Sequence, residues 1–299
     1  MRIVITGSNG LIGSALVPQL EAGGHSIARL VRSRERTGDG AYFWDPQSGV
    51  IDEAALRDVD AVVHLAGETV AGRWTREKKR RIHDSRILGT RLLSEAIAAA
   101  DPRPEVFVCA SAVGIYGDRG DEELTEASPR GGGFLADVVD EWEAATKPAA
   151  QAGVRVVNVR SGVVLSRDGG ALASQLLPFR LGVGGPVGGG RQFTSWISIE
   201  DEAAAIEHVL GSAELSGPVN LVAPNPVTNR DFAKTLGRAL HRPAVLPTPV
   251  LPLRVIFGSE FVEEVLLASA RVLPTQLLAS GYRFQFPELE PALTSLLRR

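Results

Sequence analysis

Residues Arg2–Gly13 read RIVITGSNGLIG. Ile3, Val4, Ile5 and Thr6 are the residue types of a short strand buried on both faces. Gly7, Gly10 and Gly13 then lead into an apolar helical pattern that runs from Leu11 to about Ala22 and stops at Gly23–Gly24. Glycine spacing alone is weak evidence. Its place between a strand and a helix gives it weight, because there amide N–H groups and the helix dipole face a pyrophosphate. In that arrangement Gly7 makes the tight turn, Gly10 admits the phosphates and Gly13 lets the helix pack on the sheet. Gly7, Asn9, Gly10, Leu11, Ile12 and Gly13 are therefore the first candidate cofactor-binding residues.

Outward from this unit the same rhythm continues. HSIARLVR, DAVVHLA, EVFVCASA and VRVVNVRSGVVL read as strands, and IDEAALRDV reads as a short helix. A long helix ending SRILGTRLLSEAIAAA and another over FLADVVDEWEAATKPAAQ fall between them. Strands alternating with helices imply right-handed crossovers and a parallel sheet covered on both faces. The expected fold is α/β, a doubly wound parallel sheet of the Rossmann type, with a smaller C-terminal substrate domain. Residues 1–165 are assigned to the dinucleotide domain and 166–299 mainly to the smaller one, with a helix at about 200–212 returning to the first. In the second part, GPVNLVA reads as a strand and TNRDFAKTLGRAL as a helix capped by Thr228 or Asn229. The glycine-rich RLGVGGPVGGGRQFTSWISIED suits either a surface connection or a loop over a ligand.

The end of the second strand bears on the identity of the dinucleotide. An NAD site usually places Asp or Glu there for the ribose 2′-hydroxyl, whereas this chain has Arg32 and Ser33 in LVRSRER. A guanidinium holds a 2′-phosphate bidentately, so NADP(H) is favoured. The alternative is a solvated basic loop that touches nothing.

A net charge of −3 over 299 residues gives no electrostatic reason to expect a nucleic-acid or membrane-surface partner. VLPLRVIFGSEFVEEVLLASARVL is apolar but is broken by Pro252, Arg254, Glu260, Glu263 and Glu264 before it could span a bilayer. With no signal-peptide pattern at the start and one cysteine, Cys109, in a buried-strand context, a cytoplasmic location is expected. His64 lies at a strand end without ligand-spaced partners, and the other histidines are scattered, so no metal site is expected.

TGSNGLIG, DAVVHLAGE, SRILGTRLL and SAVGIYG make the chain resemble the extended short-chain dehydrogenase/reductases. More narrowly it is similar to their atypical branch of epimerase family proteins, related to nucleoside-diphosphate-sugar epimerases. That likeness rests on HLAGETVAGRWTREKKRRIHDSRILGTR, GGALASQLLPFRLGVGGPVGGGRQFTSWISIEDEA and RVLPTQLLASGYRFQFPELEPAL. The resemblance implies that Leu65, Ala66 and Gly67 line the cofactor, with Glu68 just beyond. It puts Ala110, Ser111 and Ala112 near the nicotinamide ribose, adds Arg160, Gly162 and Val163 after the sixth strand, and places Arg86 where the superfamily often has asparagine. It also implies a homodimer through a helical bundle.

One departure limits what carries over. The superfamily's proton-transfer pair is Tyr-x-x-x-Lys, but GGGFLADVVDEWEAA offers Leu135 and Val139 at those places, or Phe134 and Val138 one residue earlier. None of these side chains exchanges a proton. Acid/base candidates elsewhere are Ser111, Tyr116 and Glu68, each with a structural alternative in packing, capping or ion pairing. Arg73, Lys78, Lys79, Arg80 and Arg81 form either a solvated helix face or an anion-holding patch, and Trp74, Gln192, Ser195 and Trp196 are expected in the cleft. The two functional readings are an NADP-dependent oxidoreductase or epimerase-like enzyme on a small polar substrate, and a cofactor-binding sensor without turnover.

Overall fold

The structure, a computed structural model, describes residues 1–298. It begins with β1 (Arg2–Thr6), α1 (Leu11–Ala22), β2 (Ser26–Val31), β3 (Ala41–Asp45), β4 (Val50–Ile51), β5 (Ala61–His64) and α2 (Arg76–Ala99). β6 (Val106–Ala112), β7 (Glu123–Leu124), α3 (Phe134–Ala144), α4 (Lys147–Gln151), β8 (Arg155–Ser161) and β9 (Val163–Leu165) follow. Next come α5 (Gly170–Arg180), β10 (Phe193–Thr194), β11 (Trp196–Ser198), α6 (Ile199–Gly211) and β12 (Gly217–Leu221). The chain ends with β13 (Val227–Thr228), α7 (Asn229–Ala239), α8 (Val250–Phe257), α9 (Ser259–Phe261), β14 (Arg271–Val272), α10 (Thr275–Ala279) and α11 (Leu289–Arg298).

Eight strands form one sheet in the order β12-β8-β6-β5-β1-β2-β3-β4, parallel except for the β3–β4 pair. Side chains alternate between its faces. Ile3, Ile5, Val157 and Val159 meet Leu16 and Leu20 of α1 and Ile206 and Val209 of α6 on one side. Val4, Val62, Phe107 and Val156 meet Leu93 and Ile97 of α2 and Trp142 of α3 on the other. The strand order runs outward in both directions from the β1–β5 boundary, so a crevice opens where their C-terminal loops part.

Several elements differ from the sequence expectation. The strand GPVNLVA, assigned with the second part, joins the main sheet as β12 beside β8, next to α6, which packs on α1, where Gln19 donates to Glu207 at 2.5 Å. The smaller domain is built around Leu172, Leu176 and Phe179 of α5, Phe232 and Leu236 of α7, and Leu289, Leu293 and Leu296 of α11. IDEAALRDV forms only a single 3-10 turn at Glu53–Leu56. The long helix expected over residues 134–151 is two helices, with Pro148 in the first turn of the second, where its missing N–H costs nothing.

Candidate cofactor crevice and active site

The glycine loop is set by close approach of backbones. Gly7 has φ +71°, and a Cβ there would lie 2.8 Å from Ala66 N and 2.9 Å from Leu65 O, so the β1 loop rests directly on the β5 loop. A Cβ on Gly13 would lie 2.3 Å from Gly7 O and 2.7 Å from Ser8 Cα. Gly13 thus fits the helix against the loop's own backbone rather than against the sheet, which corrects the role read from its spacing. Gly10, the N-cap of α1, would place a Cβ 3.2 Å from Gly7 O and otherwise in open space, and no side chain caps the first turn. Leu11 packs its side chain under Gly169 and Gly170 at the start of α5. Ile12 lies against the core and Asn9 is exposed.

Thr6 ties the two loops together. Its Oγ1 accepts from Leu65 N and Ala66 N, both at 3.2 Å, and lies 2.6 Å from His64 Nδ1. With both acceptor sites used, the hydroxyl proton goes to Nδ1, so the imidazole carries its own hydrogen on Nε2. Burial brings the pKa of His64 down to about 3, which keeps it neutral. Nothing in the sequence marks Thr6 for this work.

Arg86 lies beneath the next stretch of the β5 loop. Its Nη1 donates to Glu68 O at 2.9 Å and Ile82 O at 3.1 Å, and its guanidinium sits over the Trp142 ring at 4.9 Å. A Cβ on Gly67 would touch it at 3.5 Å. Arg32 forms no ion pair among the described residues; the Glu68 carboxyl, held low chiefly by its Lys78 hydrogen bond, and the Asp45 carboxyl, held low chiefly by Ser48, both also feel its charge. That leaves an exposed, unpaired guanidinium just after β2, within electrostatic reach of the β5 loop. An uncapped helix start, a sterically required glycine loop and an unpaired arginine together fit a dinucleotide bearing an extra phosphate.

The acid/base candidates are all engaged. Glu68 pairs with Lys78 at 2.6 Å, and that hydrogen bond holds its pKa below the ordinary value, away from the range of a general base. Tyr116 is fully buried: its hydroxyl donates to Asn220 at 2.8 Å and accepts from Arg160 at 3.0 Å. Burial holds the phenol above its usual pKa despite the guanidinium, so Tyr116 is a core residue and not an accessible acid or base. Ser111 donates to Glu143 at 2.5 Å. Arg160, expected near the cofactor, instead grips Glu143 through Nε and Nη2, both at 2.8 Å. Burial opposes its charge, but the two-pronged carboxylate contact outweighs it and raises the pKa. The result is one chain of hydrogen bonds, Ser111–Glu143–Arg160–Tyr116–Asn220, across β6, α3, β8 and β12.

The α3 positions carry no acid or base in either register. Leu135 faces Gly114, where a Cβ would meet it at 3.4 Å, and Val139 joins Ile115, Tyr116 and Val272 in an apolar cluster. Phe134 packs on Trp74, and Val138 on Ile82 and Ile87. Gly162 is held by packing, since a Cβ would lie 2.5 Å from Ser195 O, while Val163 pairs with Trp196 in β11. Ser33 is half-exposed and Ala110 half-buried. Of the residues expected in the cleft, Ser195 and Trp196 are buried and bond to Ala270 O and Asn225 O. Gln192 donates to Leu266 O and Trp74 to Val70 O. The basic run is largely paired: Lys78 to Glu68, Lys79 to Glu260 and Arg81 to Glu77. Among the described residues no group of His, Cys, Asp and Glu side chains is arranged to hold a metal ion, and no helix is long and apolar enough to cross a membrane.

Glu202 escaped the sequence reading. It is fully buried in the first turn of α6, accepts from Ser161 at 2.5 Å, and leaves Oε2 without a partner. Burial pushes its pKa up to about 8. A polar residue in an amphipathic helix gives no sign in sequence of which face it takes.

Residues 3–221 match the model of the NAD dependent epimerase/dehydratase family, and residues 248–296 match a domain of unknown function. An epimerase family protein of Mycobacterium tuberculosis is 44% identical over 292 residues, covering 97% of this chain and 96% of that protein. The human epimerase family protein SDR39U1 is 39% identical over 301 residues, covering 99% of this chain and all of that one. A crystal structure of human SDR39U1 with NADPH superposes with a TM-score of 0.90 at 38% identity, covering 100% of this chain and 99% of that chain. A UDP-glucose 4-epimerase of Thermus thermophilus solved with NAD, at 24% identity and a TM-score of 0.74, shares the fold.

Proposed function

The chain belongs to the NAD dependent epimerase/dehydratase family, and from that premise we propose that it binds NADP(H) in the β1–β5 crevice and acts as an oxidoreductase on a small substrate. The observation that carries the reading is the loop itself: Gly7 and Gly13 are sterically required, while Gly10 faces open space at an uncapped helix start. A relative of 38% identity crystallised with NADPH over the same fold supports the choice of dinucleotide. When bound, the cofactor supplies hydride exchange. The α1 amides and Arg32 hold its phosphates, and Thr6 and Arg86 fix the β5 loop. Ser111, oriented by Glu143 and Arg160, is the hydroxyl at the end of β6 that positions a substrate oxygen. Hydride transfer at a carbon bearing oxygen also moves a proton at that oxygen, and since the apolar Leu135 and Val139 can neither take nor supply it, that proton is exchanged with water.

The same two residues favour a second reading, a protein that senses NADP(H) without turnover. Matched titrations with NADPH and NADH separate the cases. Wild type prefers NADPH, and Arg32→Ala raises its Kd by about tenfold to a hundredfold, the worth of one charge-assisted phosphate contact. NADPH oxidation on a panel of carbonyl substrates marks the enzyme, and tight binding with no turnover marks the sensor. No binding of NADPH overturns both.

A further inference from the structure

Glu202 is a carboxyl that the fold buries completely and then leaves with one oxygen unused. Its Oε1 accepts from Ser161 Oγ at 2.5 Å, and its Oε2 has no partner. A buried polar atom without a partner costs stability, so its place beside the crevice calls for a functional reason. Ser161 is the last residue of β8, directly before Gly162, and pairs with Ala112 at the end of β6. Gln19 in the later part of α1 meets Glu207 in the later part of α6, so the two helices run parallel and their first turns lie side by side. Packed helices are about 8–10 Å apart. Glu202 therefore sits one helix width from the uncapped start of α1.

The strand order fixes which part of a dinucleotide comes over it. Arg32 follows β2 and the glycine loop follows β1. A cofactor with its 2′-phosphate at Arg32 and its pyrophosphate at α1 carries its nicotinamide half the other way, over the ends of β5, β6 and β8. Ser161 and Glu202 lie beneath that half. The ring of NADP+ carries a positive charge and that of NADPH is neutral, so a carboxylate within reach attracts one form and not the other.

We propose that Glu202 sets the preference between oxidised and reduced cofactor: neutral, it admits both alike, and ionised, it favours NADP+. The inference rests on the NADP(H) reading of the crevice. Burial pushes the carboxyl's pKa up to about 8, against the pull of the Ser161 hydrogen bond, so its charge changes within reach of neutral pH. Few other charges face it. α1 carries only Glu21, at its far end and paired with Arg29, and β6, β9 and β11 carry none. On β8, Arg160 turns to Glu143, while Arg155 donates to Val209 O and Leu210 O at the far end of α6. On α6 itself, Asp201 is taken up by Gln285 N and Phe286 N, Glu200 precedes it, and Glu207 and His208 bond to Gln19 and Ser280 further along. From the C-terminal segment, the Tyr282 phenol, held above its usual pKa by burial, bonds to Asp201. Of the crevice groups, Glu68 titrates below this range, Tyr116 above it, and His64 stays neutral.

The test is calorimetric titration with NADP+ and with NADPH, from about pH 6 to about pH 9.5, of wild type, Glu202→Gln and Ser161→Ala. In wild type the ratio Kd(NADPH)/Kd(NADP+) rises about tenfold across the range, the size expected for a charge pair about 12 Å apart at an effective dielectric of about 20. The phosphates are common to both cofactors, so their titration cancels in the ratio. Glu202→Gln, which still accepts from Ser161, gives a flat ratio. Ser161→Ala keeps the rise but moves its midpoint to higher pH, because the hydrogen bond that favours the ionised form is gone. By linkage, NADP+ binding near the midpoint releases more protons than NADPH binding, read from the buffer dependence of the binding enthalpy. 2′,5′-ADP, which lacks the ring, binds wild type and Glu202→Gln equally at every pH, and this reports that the variant is folded. A wild-type ratio independent of pH, or a rise of the same size in Glu202→Gln, overturns the proposal and leaves the cofactor reading intact. Failure of both cofactors to bind sinks the cofactor reading, and this inference with it.

Discussion

Glu202 illustrates how much one buried carboxyl sets at the scale of a residue. In the folded chain it keeps its proton up to a pH of about 8, whereas unfolded it releases it near the ordinary glutamate value of 4.5. The folded state therefore binds the extra proton between those limits, and stability falls as pH rises through that window, by about 1.4 kcal/mol per pH unit where the slope is full. Glu202→Gln still accepts from Ser161 but has no proton to lose. Urea unfolding of the two proteins is expected to give similar stability near pH 4.5, with the variant gaining steadily until about pH 8 and then holding its lead. A constant difference across that range would show that Glu202 is ionised in the fold. His64 behaves oppositely: its depressed pKa keeps it neutral, so the Thr6 clamp on the β5 loop is indifferent to pH near neutrality.

At the scale of elements, α3 is held from outside by the C-terminal region. Phe134 N and Leu135 N both donate to the Glu264 carboxylate at 2.9 Å, and Gly133, at φ +105°, brings the chain against it. A carboxylate at a helix start satisfies two orphan amides and complements the dipole. Glu264→Ala is expected to cost about 1–2 kcal/mol, with faster amide exchange at Phe134 and Leu135 than in wild type. Unchanged exchange there would mean that the cap contributes nothing. No pattern within α3 announces this cap, because its acceptor comes from 130 residues away. β3, a short AYFWD run between Gly40 and Pro46, and α5, with glycines at its start and Pro178 inside it, carry local patterns too weak to announce an element.

Across the whole molecule, the C-terminal segment is pinned by one side chain. Asp201 accepts from Tyr282 Oη, Gln285 N and Phe286 N at 2.7–3.1 Å while also bonding to Ser198, the N-cap of α6. The smaller domain thus closes onto the sheet domain through a helix that packs against α1. Asp201→Ala leaves these donors without their acceptor and is expected to destabilise the protein by about 2–4 kcal/mol. Limited proteolysis should then cut near residues 280–288, and a digestion pattern identical to wild type would show that the tail is held elsewhere.

The sequence by itself determined the architecture at the start of the chain, because strand burial, the Gly7–Gly13 spacing and the helix that follows are local consequences of residue type. It also determined that α3 lacks a proton-transfer pair, since Leu135 and Val139 are aliphatic whatever surrounds them. Arg32 was legible for the same reason, as a cation at a strand end. Only the tertiary structure decided what surrounds each polar group. It buried Tyr116, gave Arg160 to Glu143, paired Glu68 with Lys78 and placed Gly217–Leu221 in the main sheet. Those outcomes depend on long-range contacts that cost loop-closure entropy and are made only when the sheet is complete, so no local pattern records them.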